Sequence, residues 1–236
     1  MSSFFQKIVD SLKNSWEGVK EINILENFKD IFSQPLGILT VVALLIIMFV
    51  MVRARKIKFT PRLLAQISIM LALTIILDTF KIYRLPQGGS VTLGSMLPIF
   101  LISLWYGPEI GMLTGFIFGI ISLILGPYVI HPVQLLLDYP LPYLALGIAG
   151  YFRKNKYLGV TIGIILRFIC HIVSGVVFFA EYAAESGYSS ALLYSIVYNG
   201  SFLIIDSAIC IVLLALIPFE KLTKVANSSY HVTSNK

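Results

Sequence analysis

Three polar side chains stand where water is scarce: Asp138 in HPVQLLLDYP, His171 in RFICHIVSGVVFFAEYA and Asn199 in YSIVYNGS, each inside an apolar run. A carboxylate within a membrane helix costs at least ~2.5 kcal/mol at its centre. Asp138 therefore reads either as the anionic partner of a cationic or donor-rich ligand, or as one half of an internal ion pair or hydrogen bond. Ser174 and Gly175 follow His171 at i+3 and i+4. They place a hydroxyl and a bare backbone on roughly the histidine's face, a niche where a flat ligand can touch the helix. Asn199 offers a donor and an acceptor, the combination a heteroaromatic ring requires. Asp78 and Asp206 carry the same argument more weakly and read as structural. Arg167, one turn deeper than His171, reads as a side chain that snorkels toward the cytoplasm.

No GxxxxGK[ST], HExxH, GxSxG or paired CxxC occurs, and Gly88, Gly89 and Ser90 are too few for a phosphate loop. Cys170 and Cys210 stand alone in apolar runs and read as packing residues, so neither a metal nor a disulfide framework is expected. His171 has no second ligand at i+4, and no cofactor is expected. Two classes remain: a solute-binding transport subunit and an intramembrane enzyme. Without a nucleophile and base pair, transport is the reading adopted.

The elements that hold these residues must be membrane helices. Of 236 residues, 57% are hydrophobic and 13% charged, and the mean hydropathy is +0.86, whereas soluble domains carry about 25% charge. The net charge of +6 then reports orientation rather than nucleic acid. Residues 1–35 read as an amphipathic extension, in which four Lys and five acids mix with Phe, Ile, Val, Leu and Trp16 between Phe4 and Phe32. An uncharged first span runs from Leu36 to Val52, and a basic linker follows to residue 61. Further spans are expected at about Leu63–Phe80, Leu93–Trp105, a run carrying Gly107, Gly111, Gly115 and Gly119, Val133–Tyr151, Gly159–Phe179 and Leu192–Leu216. The third is short and interrupted by Pro98, so it is expected to be tilted, broken or preceded by a strand-like loop that dips into the bundle. The glycine stripe is a packing surface.

Residues 53–62 hold five Lys/Arg and no acid, residues 152–158 hold three, and the polar tail 219–236 holds Lys221, Lys224 and Lys236. All fall on one side of a seven-span chain, which makes that side cytoplasmic. The amino terminus, the 81–92 loop, the 127–132 turn and the 181–191 loop then lie outside. Glu181, Tyr182, Tyr188, Tyr194, Tyr198 and Asn199 crowd the outer ends of the last two spans, where tyrosines also serve as an interfacial belt. A site open to the outside is the expectation.

Taken together, PQGGSVTLGSMLPIFLISL (86–104), HPVQLLLDYP (131–140), RFICHIVSGVVFFAEYA (167–183) and YSIVYNGS (194–201) make residues 62–218 resemble the thiamine-specific substrate-binding subunits, or S components, of energy-coupling factor (ECF) transporters. The resemblance implies an all-α integral membrane protein of the bacterial cell membrane, a six-helix bundle preceded here by one extra transmembrane helix. It implies high-affinity thiamine binding with no ATPase of its own, a separate coupling membrane protein and two ATPase subunits. Carried over by motif, it implies that Asp138 binds the pyrimidine beside Tyr139, that His171 contacts the ring, and that Gly175 gives a backbone contact. Tyr194 and Asn199 form the polar pair of the last helix. Ser68 and Ala72 are the nearest match to the small-residue face that contacts the coupling protein.

The sequence departs from its relatives in lacking ligand-stacking tryptophans, since its only two are Trp16 and Trp105. Phe179 is the expected aromatic replacement, and Gln87–Ser90 offers no ring. The acid is Asp rather than Glu, which shifts the ligand or recruits a water. A thiazolium cation suits an aromatic face and an aminopyrimidine suits a carboxylate and an amide. An S component for another vitamin or a thiamine precursor, and a solitary proton-coupled transporter, are the alternatives.

Overall fold

The structure is a computed structural model that describes residues 2–20, 22–24, 26–27, 42–43, 45–46, 49, 59–126 and 128–231. Most of the expected first span Leu36–Val52, the basic stretch 53–58 and the end of the tail, 232–236, lie outside the described residues. The described positions within that span, Phe49 among them, are helical with exposed apolar side chains.

Helix α1 covers Ser2–Lys20. Thr60 caps α2 (Pro61–Thr79) by accepting a hydrogen bond from the Leu63 amide at 3.2 Å, and Pro61 supplies a φ suited to the first turn. A short antiparallel hairpin follows, β1 (Lys81–Arg84) with β2 (Ser90–Thr92), paired Lys81 with Thr92 and Arg84 with Ser90. Its turn needs left-handed backbone at Gln87 (φ 56°) and Gly88 (φ 91°). The strand-like loop expected before the third span is this hairpin. The helix itself, α3, starts later than expected, at Leu97, and ends at Tyr106. Pro98 falls in its first turn, where a missing N–H costs nothing, so the proline opens the helix rather than interrupting it.

Leu97 through Trp105 are all buried, which makes α3 the centre of the core with Ile99, Phe100, Ile102, Phe118, Leu146 and Leu214. Gly107 (φ 100°) turns the chain into α4 (Pro108–Leu125). The glycine stripe of α4 packs backbone against backbone: a Cβ on Gly119 would come within 2.6 Å of Pro140 Cα, and one on Gly115 within 2.6 Å of the Tyr143 carbonyl carbon.

The expected span Val133–Tyr151 is not one helix. It is α5 (Pro132–Asp138), a break at Tyr139, α6 (Pro140–Leu146) and a 3-10 turn, Gly147–Phe152. Pro140 has no N–H to continue α5, so the helix ends immediately beyond Asp138. Next come α7 (Lys156–Phe178), α8 (Ala180–Glu185) where a polar loop was expected, and α9 (Ala191–Leu216). The tail is folded in part, as α10 (Phe219–His231), with Phe219 and Ala226 buried and Tyr106 donating to the Ala226 carbonyl.

Among the described residues, five segments are long and apolar enough to cross a membrane: α2, α4, Pro132–Phe152, α7 and α9, with α3 a shorter apolar helix beside them. Ile69, Ile76, Val177, Ile204 and Leu216 lie exposed on the outside of the bundle. A layer of that kind suits a hydrocarbon solvent rather than water.

Candidate functional site

The polar residues converge at the hairpin end of the bundle. Asp138 ends α5 and points at α7. Ser174 and Gln134 donate to its Oδ2 at 2.9 and 2.7 Å, and His171 Nδ1 lies 3.3 Å from its Oδ1. Arg167 Nε faces His171 Nε2 at 3.4 Å. Since Arg can only donate, Nε2 is the acceptor and the Nδ1–H is the donor to Asp138, which fixes the tautomer from the hydrogen-bond pattern.

Arg167 departs from its expected position. It is buried, with its guanidinium 4.5 Å from the centre of the Tyr143 ring, and its Nη1 has no protein partner among the described residues. The face of α7 that carries it turns toward the bundle core, so an aromatic ring and an imidazole hold it where snorkelling was expected.

Gly175 lets α7 and α9 touch. A Cβ there would lie 2.8 Å from Ser195 Cβ and closer still to its hydroxyl. Across this contact Ser195 donates to the Ile172 carbonyl, and Asn199 Nδ2 reaches the His171 carbonyl at 3.3 Å and the Ser195 carbonyl at 2.9 Å. The donor half of Asn199 is thus committed to the helices. What it can offer a ligand is its carbonyl oxygen, not the donor and acceptor together that the sequence suggested.

These residues line a cavity of ≈ 440 Å³, within the range of small-molecule sites. Asp138, Tyr139, His171, Gly175, Phe179, Tyr194 and Asn199 all border it. Phe179 forms an aromatic wall, with Tyr128 stacked beside it at 6.1 Å between centroids and 21° between planes. A hydrogen bond with Tyr182 and partial burial push the Tyr128 phenol up to about 12, so it stays neutral at working pH. Tyr139 spends its hydroxyl on the outer turn, accepting from the Tyr128 amide at 2.6 Å and donating to the Gly126 carbonyl at 3.2 Å.

Three further contributors were not singled out as site residues from the sequence. Gln134 is buried and bridges the Tyr128 carbonyl to Asp138; its spacing of four from Asp138 was the available signal. Tyr128 was assigned no role. Tyr198, read only as part of a tyrosine cluster, donates to the Pro86 carbonyl and accepts from the Gly89 amide, which ties the hairpin turn to α9. Asp206, read as structural, accepts from the Thr92 amide and hydroxyl at 3.0 and 2.7 Å and pins β2 to the same helix.

Ser68 and Ala72 lie away from the cavity, on the exposed side of α2. Cys210 is buried and Cys170 half-buried, both as free thiols. No group of three metal-ligating side chains occurs among the described residues.

A bundle of apolar helices around a polar, partly aromatic pocket defines a multi-pass membrane protein that binds a small solute. Comparison of the sequence with known families identifies which one: residues 64–226 match the family described as thiamine transporter protein (Thia_YuaJ), and the chain belongs to it. The thiamine transporter ThiT of Bacillus subtilis (strain 168) is 36% identical over 173 residues, 65% of this chain and 88% of that protein. ThiT of Lacticaseibacillus paracasei is 26% identical over 142 residues, 52% of this chain and 70% of its own. A solved structure of ThiT from Listeria monocytogenes shares the fold with a TM-score of 0.59 at 22% identity, covering 71% of this chain and 96% of that one. Family membership makes the role transport rather than catalysis, in a bacterial membrane.

Proposed function

We propose that this protein is the thiamine-binding S component of an ECF-type uptake transporter, with the ligand seated between Asp138 and the Phe179–Tyr128 wall. The observation that carries this is a carboxylate and a stacked aromatic pair facing one cavity in a member of the thiamine transporter family. An aminopyrimidine amine can donate to the acceptor capacity left on Asp138 and to the carbonyl oxygen of Asn199, while the His171 imidazole, its two nitrogens engaged by Asp138 and Arg167, offers the ring a surface to pack against. The thiazolium cation is favoured against the aromatic faces by roughly 0.5–2 kcal/mol.

The charge distribution puts the hairpin end outside, so the pocket loads from the exterior. Asn27 lies at the hairpin end, bonded to the Ile124 carbonyl near the end of α4, while Phe59 and Thr60 precede α2 at the opposite end. That arrangement supports one additional crossing between them by the apolar run Leu36–Val52. Residues 62–218 are then the substrate-binding domain, flanked by the extension, the basic linker and the cytoplasmic tail. Energy comes from a separate coupling membrane protein and two ATPases, and Ser68 and Ala72 on the exposed face of α2 form the contact with the coupling protein.

Calorimetric titration of the purified protein in detergent, with thiamine and with its separate pyrimidine and thiazole halves, tests the reading. Saturable 1:1 binding, tighter for thiamine than for either half, is expected. No heat and no thermal stabilisation by thiamine would sink it.

A further inference from the structure

The cavity wall is not completed by the family-matched residues alone. We infer that the described residues between 11 and 27 (11–20, 22–24 and 26–27), which precede the matched stretch 64–226, form a strap across the pocket mouth and govern how fast ligand enters and leaves. This rests on the proposed thiamine-binding function.

The strap begins on α1. Ile8, Ser11, Leu12 and Ser15 share its inward face, whereas Lys7, Asp10, Asn14 and Glu17 are exposed. Ser15 is fully buried. Its hydroxyl meets both backbone groups of Lys81, accepting from the amide and facing the carbonyl at 3.3 Å, and Ser11 donates to that carbonyl at 2.8 Å. Two serines one turn apart thereby satisfy backbone groups that a two-stranded hairpin would otherwise present at its edge.

The other anchor is across the cavity. Asn27 Nδ2 donates at 2.9 Å to the Ile124 carbonyl, one of the last four carbonyls of α4, which have no partner inside the helix. The anchor residue Ser15 and, between the anchors, Ile22 line the same cavity as Asp138 and Phe179. Lys81 and Leu125 line it too, so the segment is fastened on two sides of the mouth. The anchors are a few hydrogen bonds between uncharged groups, each of small net worth, so the strap can open locally without unfolding the bundle.

The test uses the full-length protein in detergent, radiolabelled thiamine, and two variants: Ser11→Ala/Ser15→Ala, which frees the hairpin anchor, and Asn27→Ala, which frees the other. Ligand dissociation is followed by chase with unlabelled thiamine and association by rapid mixing. In the double variant both rates should rise at least fivefold, with a smaller change in Kd. In a Trp105→Phe background, Trp16, half exposed beside Ser15, should become more accessible to an aqueous quencher in step. Rates within twofold of wild type in both variants overturn the strap, whatever the quenching shows. A wild type that binds no thiamine is a different result, one that overturns the functional reading itself.

Discussion

Asp138 has most of its capacity already used before any ligand arrives. A carboxylate has about four acceptor positions, and Gln134, Ser174 and His171 occupy three. This leaves room for one strong N–H from an aminopyrimidine, with the carboxylate held in place by the other three. Asp138→Asn turns one oxygen into a donor that faces Gln134 or His171, so it should weaken thiamine binding at least tenfold, about 1.4 kcal/mol, with the protein still folded. Asn199→Ala should do the same by removing the carbonyl acceptor, and calorimetry on both variants checks this. Wild-type affinity in both would remove the proposed site. Phe179→Leu keeps the apolar volume and loses the π face, so affinity should fall about two- to thirtyfold, the range of a cation–π contact, with less effect on the uncharged pyrimidine half. Asp138, His171 and Asn199 were legible in the sequence because a polar group in an apolar run has to be explained. Gln134 was not, because it opens a short amphipathic segment where a glutamine looks ordinary. Arg167 was misread because a basic residue buried under a ring and one reaching for headgroups have the same local sequence.

The elements matter through how closely they approach. Gly175 and Ser195 set the contact of α7 with α9, and with it the position of His171 and Asn199 on the two helices. Gly175→Ala forces a Cβ into Ser195, an overpacking that costs about 1–3 kcal/mol. Its melting temperature in detergent should drop and thiamine binding should weaken with it. Adding Ser195→Gly, which clears the space, should restore part of the melting temperature. No recovery would mean that the helices part for some other reason. The same logic separates what the sequence disclosed about the elements from what it hid. The glycine stripe of α4 announced a close neighbour through its spacing alone, and it meets two, α6 at Gly115 and Gly119 and Ser103 of α3 at Gly111. Pro140 was equally visible, but a proline in a membrane helix either kinks it or ends it. Which occurs depends on the backbone partners available at the break, a tertiary matter. Pro98 was misjudged for a related reason: its effect depends on where the hairpin stops, and the hairpin is pinned by Asp206 and Tyr198 more than a hundred residues away.

At the scale of the whole molecule, the pocket and the surface that would meet a coupling protein are distinct. Asp138, His171 and Asn199 face the interior at the hairpin end, while Ser68 and Ala72 lie on the lipid-facing side of α2, a helix only 17% of which is buried within the bundle. Ala65 is also exposed and three residues from Ser68, so the small side chains form a shallow stripe between Leu64, Ile69 and Leu73. A stripe of this kind lets another helix approach closely in lipid, where packing rather than hydrophobicity drives association. Replacing both Ser68 and Ala72 with Leu keeps α2 apolar and fills the stripe. Binding of thiamine to the purified variant should match wild type, because neither residue borders the cavity. Uptake in cells that supply the coupling protein and ATPases should fall at least tenfold, and copurification of the variant with the coupling protein should fall in parallel. Uptake undiminished at equal expression would show that energy reaches this protein through another face, and uptake that persists without the ATPases would show that it needs no partner. Loss of binding together with uptake would instead make α2 part of the site's scaffold, so the two assays on one variant separate a docking surface from a structural one.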